Sequence, residues 1–217
     1  MAELIVIRHG QASFGAANYD KLSDLGHVQS ALVGEALKTR GWTPDRVVIG
    51  GQVRHRETLE GMGYTDGEIE VDAGFNEYDF HDLLHARYDG NVPDLILGDR
   101  KTHFRTLRET VFEWQAGGLP NANESWLDFT TRIESALTKA TREGAEKILV
   151  VSSGGVIGQI TANTVGGPAK MMMTLNLQIK NTGLTKFIVS GPKRFLHEFN
   201  ATPHLDVPEH ADKLTYS

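Results

Sequence analysis

The sequence predicts an α/β fold: a three-layer α/β/α sandwich with a mostly parallel central sheet and a helical cap insertion at roughly residues 79–123. Three observations carry this. Short, continuously apolar runs, Leu4-Ile5-Val6-Ile7 and Ile148-Leu149-Val150-Val151, read as strands buried on both faces. Segments of helical periodicity alternate with such runs, which is the pattern of a parallel sheet wrapped by helices. The runs end in glycine-rich or basic loops, and open α/β sheets bind ligands beyond the carboxyl ends of their strands.

The elements follow in order. Residues 3–8 form the first strand, ending at Gly10. Ser23 is an N-cap for a helix in which Leu25, Val28, Leu32, Ala36 and Leu37 recur at helical spacing until Gly41. Residues 46–49 form a second buried strand that runs into Gly50-Gly51, and a helix follows from Arg54 through Leu59 toward Gly61. Residues 69–78 hold a short strand and turn. From His81 to about Asn123 the pattern is irregular and mostly helical, with Phe104, Leu107, Val111 and Trp114 in register. Ser125 caps a helix striped by Trp126, Phe129, Ile133, Leu137 and Ala140, and the strand at 147–151 comes after Gly144. Gly154-Gly155 opens another helix, Met171-Met172-Met173 reads as core packing, and β-like runs at 184–189 and 195–199 close the chain.

Composition narrows the function. The 217 residues, 40% hydrophobic and 23% charged, suit one sizeable core, and a single domain over 1–217 is expected. Zero cysteines remove disulfides, thiolate nucleophiles and thiolate metal sites, and fit a cytoplasmic address, as does an N-terminus without an export signal. A net charge of −6 argues against nucleic acid and anionic membranes as partners, and no apolar run is long enough to span a bilayer. An anionic ligand therefore needs a local basic pocket.

The strand ends supply one. Arg8-His9-Gly10 follows the first strand, Arg54 and Arg56 follow the second, and Ser152-Ser153-Gly154-Gly155 follows the strand at 147–151. Guanidinium forks can each donate paired hydrogen bonds to a phosphoryl dianion, and a helix starting at Gly154-Gly155 adds backbone N–H groups and the positive end of its dipole. With no cysteine, His9 is the natural nucleophile, because a neutral imidazole can attack phosphorus. Glu77, flanked by Phe75, Tyr78 and Phe80, is a candidate general acid whose carboxyl apolar surroundings can push up; as a lone glutamate it can equally be a solvated loop residue.

These residues resemble the histidine phosphatase superfamily, also called the phosphoglycerate mutase-like family. Its Arg-His-Gly matches Arg8-His9-Gly10, and its Leu-Ser/Thr-x-x-Gly-x-x-Gln matches Leu22-Ser23-Asp24-Leu25-Gly26-His27-Val28-Gln29. Its Arg-Ala-x-Gln-Thr is similar to Arg54-His55-Arg56-Glu57-Thr58, which marks Arg54 as the second phosphate arginine and Arg56 as a neighbour. Its acid-donor segment is similar to Phe75-Asn76-Glu77. The resemblance implies a phosphomonoester hydrolase acting through a phosphohistidine on His9, with Arg8, Arg54, Ser153 and Gly154 on the phosphate and Glu77 as acid. It implies no metal and no cofactor, and a small phosphorylated metabolite or phosphopeptide as partner.

One departure stands out. The family's Val-x-His-Gly-Gly appears as Val151-Ser152-Ser153-Gly154-Gly155, so Ser153 stands where a second pocket imidazole belongs. Losing a charge-assisted contact costs about 3 kcal/mol, roughly a hundredfold in rate. His55 is close in sequence, but successive helix residues diverge by about 100°, so it is expected to point away from a pocket that Arg54 faces. His204 is read as structural. Ser153 keeps open a non-catalytic phospho-ligand-binding module, mutase-type phosphotransfer is a subordinate alternative, and His81 with His85, at i and i+4 beside Asp82, raises a metal-dependent hydrolase. Substrate identity and oligomeric state are not legible.

Overall fold

The computed structural model describes residues 1–13, 20–93 and 100–216; positions 94–99 of the expected insertion lie outside them. Its six-stranded sheet consists of β1 (Ala2–Arg8), β2 (Arg46–Ile49), β3 (Ile69–Val71), β4 (Lys147–Ser152), β5 (Leu184–Ser190) and β6 (Lys193–Ala201). The order is β3-β2-β4-β1-β5-β6. The first four strands run parallel, and β5 and β6 add antiparallel to the β1 side.

Alternation along the central strands makes the layers, because successive side chains leave opposite faces of a sheet. Leu4, Val6, Ile148 and Val150 enter one buried cluster with Phe129, Ile133, Val156 and Ile160. Ile5, Ile7, Leu149 and Val151 enter the other with Val33, Leu37, Leu59 and Met62. Each such side chain contributes about 1.5–3 kcal/mol by leaving water, so the two clusters together hold the sheet between its helices.

Among the described residues the α-helices are α1 (Asp24–Thr39), α2 (Val53–Met62), α3 (Phe80–Arg87), α4 (Arg100–Gln115), α5 (Trp126–Ala140), α6 (Gly154–Thr164) and α7 (Ala169–Asn176). Ser23 caps α1 by accepting from the Gly26 N–H, and Ser125 forms a reciprocal capping box with Asp128 at α5. The second helix runs past Gly61 and stops at Gly63, whose φ of 68° is the left-handed conformation that ends helices. Helix α7 was not foreseen as an element; Met172 and Met173 are fully buried in it, as expected of packing residues.

In the segment after β3, a 3-10 turn (Ala73–Phe75) leads to α3 and α4. Leu83, Val111, Trp114 and Leu119 join the cluster that contains Leu4 and Val6. Arg87 of α3 donates to Thr110 Oγ1 at 2.8 Å and pairs with Glu113 at 3.2 Å. His81 and His85 both lie on the exposed side of α3. Among the described residues, no group of three or more His, Asp or Glu side chains is arranged to hold a metal ion.

Candidate active site

The site lies where β1, β2 and β4 end. Sheet pairing carries Arg8 beside Ser152, so the loop after β1 and the start of α6 meet by register. Backbone bonds then fix the first loop. His9 N–H donates to Ser152 O at 2.9 Å, Gly10 N–H to Thr58 Oγ1 at 3.0 Å, and Thr182 N–H to Arg8 O at 3.1 Å. The Asn181 side chain donates to His9 O at 3.2 Å. Thr182 holds this position in the left-handed region, φ 53°, a costly conformation for a β-branched residue. Its hydroxyl lies 2.8 Å from His204 Nε2, which places His204 behind the loop in the structural role expected of it.

His9 is 6% exposed, and its Nδ1 lies 2.7 Å from Gly10 O. That contact puts the proton of the neutral ring on Nδ1 and leaves the Nε2 lone pair for chemistry. Burial holds the ring's pKa well below the usual histidine range, and the charges of Arg54, Arg8 and then His55 add to the effect. The ring is therefore neutral at pH 7.

The charges of both arginines act on this imidazole. Arg54, in the first turn of α2 and 8% exposed, donates to Asp20 Oδ1 at 2.8 Å; its buried Nε has no hydrogen-bond partner among the described residues. Arg8 donates through Nη1 to the carbonyls of Ile179 and Tyr216, and its Nε sits 3.7 Å from where a Cβ on Gly154 would stand. Arg56 is exposed, in keeping with its weaker standing in the sequence.

Glu77 closes the other side. Its Oε2 accepts from Gly155 N–H at 2.9 Å, and its backbone N–H donates to Gln52 Oε1 at 3.0 Å. A Cβ on Gly155 would fall 2.3 Å from Glu77 Oε1 and 2.5 Å from the Tyr78 ring, so only glycine lets this carboxyl dock on the start of α6. Glu77 is only partly covered from solvent, yet the protein around its carboxyl pushes its pKa up, against the opposing pull of the Gly155 N–H, Arg54 and Arg8. Arg132 of α5 steadies the approach, donating to the carbonyls of Gly74 at 3.0 Å and Asn76 at 2.7 Å. A cleft of about 320 Å³ adjoins Glu77, lined also by Asp79, Asp82, Asn123 and Arg132; neither His9 nor the two arginines line it.

Ser153 and Gly154 are buried at the N-terminus of α6. His55 does not point away: its Nε2 lies 2.8 Å from Ser153 Oγ, and its ring centre is 5.8 Å from that of His9. The 100° between Arg54 and His55 is real, but the first turn of α2 lies against the site with both directions, one toward Asp20 and one toward Ser153. Sequence reasoning also gave no role to Thr58, Gln52, Asn181 or Arg132, which hold the loops by contacts to distant backbone. Thr58 alone had a signal, as the threonine of the Arg54 segment.

Known proteins bear this arrangement out at the level of fold. Over 92–94% of this chain, solved structures of low identity superpose on it. A mutant phosphoserine phosphatase from Entamoeba histolytica in complex with phosphoserine is 22% identical, with a TM-score of 0.66 over 94% of this chain and 100% of its own. A mycobacterial glucosyl-3-phosphoglycerate phosphatase complexed with VO3 is 22% identical, TM-score 0.67, over 93% of this chain and 100% of its own. The alpha-ribazole phosphatase of Shigella flexneri is 18% identical, TM-score 0.64, over 92% and 96%. No curated protein sequence matches the chain. The family model for the histidine phosphatase superfamily (branch 1) matches residues 4–202, a span that runs from β1 past the end of β6 and takes in both strand-end loops and Glu77, and the chain belongs to that superfamily.

Proposed function

We propose that this chain hydrolyses phosphomonoesters through a phosphohistidine on His9. Arg8 and Arg54 grip the phosphoryl oxygens, with Ser153 and the Gly154 amide completing the pocket. Nε2 of His9 attacks phosphorus as the ester P–O bond breaks, and Glu77 gives its proton to the departing oxygen. Water then attacks the phosphohistidine, its proton passes to the Glu77 carboxylate, and inorganic phosphate leaves with His9 restored. No step calls for a metal or cofactor.

The observation that carries this reading is the opposite tuning of two groups that feel the same two arginines: burial lowers the His9 pKa well below its ordinary range and raises that of Glu77. Those are the directions in which a nucleophile and an acid need to be shifted. The phosphatase titles of the fold neighbours point the same way. Within a single domain, the segment 79–123 is the cap that shapes the entrance for a small phosphorylated metabolite or phosphopeptide, because α3 follows Glu77 directly. A cytoplasmic setting agrees with the absence of cysteine.

Hydrolysis of an aryl phosphate, with chelator present throughout, tests the reading. Turnover in the native chain should vanish in His9→Ala, and an acid-labile, base-stable phosphoryl group should be trapped on the native chain alone. Full activity in His9→Ala would overturn it. Ser153 favours a second reading, a phospho-ligand-binding relative; phosphate binding with no turnover in the native chain is its signature.

A further inference from the structure

Ser153 occupies the N-cap of α6, yet its hydroxyl makes no capping bond. Serine normally satisfies an N–H of the first helical turn from that position. Here the hydroxyl lies 2.8 Å from His55 Nε2 instead, with both side chains fully buried. A polar pair that gives up a helix cap in a water-free setting has been committed to something else. Gln52 gives the hydroxyl a second neighbour. Its Oε1 accepts the Glu77 N–H, and Ser153 O–H points at the same oxygen across 3.5 Å, longer than a good hydrogen bond. A Ser153 O–H that points outward is matched by His55 Nε2–H as the donor to Ser153 Oγ, the arrangement on which the inference below rests.

The ring is suited to that part. Burial, then Arg54, lower its pKa to about 3, so it is neutral and carries one proton. Its buried Nδ1 has no well-aligned hydrogen-bond partner among the described residues, and the Gly50 backbone beside the ring favours its charged form. Space for the ring exists because residue 50 is glycine: a Cβ there would stand 2.4 Å from His55 Nδ1.

We infer that His55 is a positioning residue that acts through Ser153, the two forming a relay in which His55 Nε2–H donates to Ser153 Oγ and Ser153 O–H turns from Gln52 to a phosphoryl oxygen. The imidazole missing from position 153 is thus supplied from α2, one hydroxyl removed from the substrate. The inference rests on the hydrolase reading and adds a residue to it. A second ring at 153 would compete for space with the one at 55, so Ser153→His alone should overpack the site and lower activity.

The test compares kcat and KM on an aryl phosphate for His55→Met, His55→Gln, Ser153→Ala, the double variant His55→Met/Ser153→Ala, and His55→Ala/Ser153→His. Methionine fills the space without a donor, whereas glutamine carries an N–H near the position of Nε2. His55→Met and Ser153→Ala should each lower kcat by about 10- to 100-fold with little change in KM, and the double variant should be no worse than the poorer single one. His55→Gln should recover most of the loss, and His55→Ala/Ser153→His should exceed His55→Met. Equal activity of His55→Met and native chain, or losses that multiply in the double variant, would overturn the relay. If the native chain shows no His9-dependent turnover, the hydrolase reading fails by itself. Inorganic phosphate binding then decides the inference: weaker binding in His55→Met than in His55→Gln supports it, and equal binding refutes it.

Discussion

His9 and His55 are two buried imidazoles whose ring centres lie 5.8 Å apart, and both are neutral at pH 7. They differ in which nitrogen is taken. His9 has Nδ1 against the carbonyl of Gly10, leaving Nε2 open. His55 has Nε2 against Ser153 Oγ and an unpartnered Nδ1 turned to Gly50. In the roles proposed above, the same residue type at the same charge serves as nucleophile in one place and support in the other, and one hydrogen bond distinguishes them. Burial sets the charge, and the local backbone sets the role.

Four experiments would break or sharpen this contrast. Replacing His9, the proposed nucleophile, with alanine should have the largest effect, a loss of kcat of about 1,000-fold or more. Should His55→Ala prove as damaging as His9→Ala in steady-state assays, the assignment of roles would be reversed or shared. Next, Glu77→Gln should cost about 100- to 10,000-fold on an alkyl phosphate and far less on a p-nitrophenyl ester, whose leaving group needs no acid. The raised Glu77 pKa places the alkaline limb of the native pH–rate profile, and that limb should disappear in Glu77→Gln.

Arg54→Ala probes both rings together, because Arg54 is the second cause of the low pKa in each. Phosphate binding should weaken by about 10- to 100-fold. The acid limb of activity, set by His9, should move up toward pH 6.5, and NMR titration should show His55 moving in the same direction. A limb that stays put would mean that burial alone depresses His9.

The smallest effect is on stability in acid. His9, His55 and His204 all have folded pKa values below the ordinary 6.5, so the unfolded chain binds more protons than the folded one below that pH. Their contribution is fully present above pH 6.5 and is lost as pH falls through and below it, with a slope approaching about 1.4 kcal/mol per pH unit for each ring. Glu77 opposes this: with its pKa raised, the folded chain holds the extra proton just above the ordinary carboxyl range. Urea melts from pH 7.5 to 5 should show falling midpoints, and the slope should lessen by one ring in His55→Met.

Much of the site was legible because strand ends are rigid. A buried run such as Leu4 to Ile7 fixes where the next three residues go, which is why Arg8, His9 and Ser153 could be placed together from sequence. Six strands were likewise readable from short apolar runs. His55 was misplaced because angular spacing describes a helix in isolation, whereas the first turn of α2 is enclosed and uses two of its directions. Helix α7 escaped because three consecutive methionines carry no period, and Arg132 escaped because its partners are carbonyls 56 to 59 residues away.

Gly50 also constrains the routes by which this pocket can be reached or left. Any side chain at 50 meets His55 Nδ1 at 2.4 Å and Phe75 O at 2.7 Å. The Phe75 carbonyl closes the space at 50 even where the ring is absent, so a sequence that carries His55 keeps glycine at 50 whichever residue is considered first. An imidazole placed at 153 likewise calls for a second change at 55, because the ring of His55 already fills the space beside it.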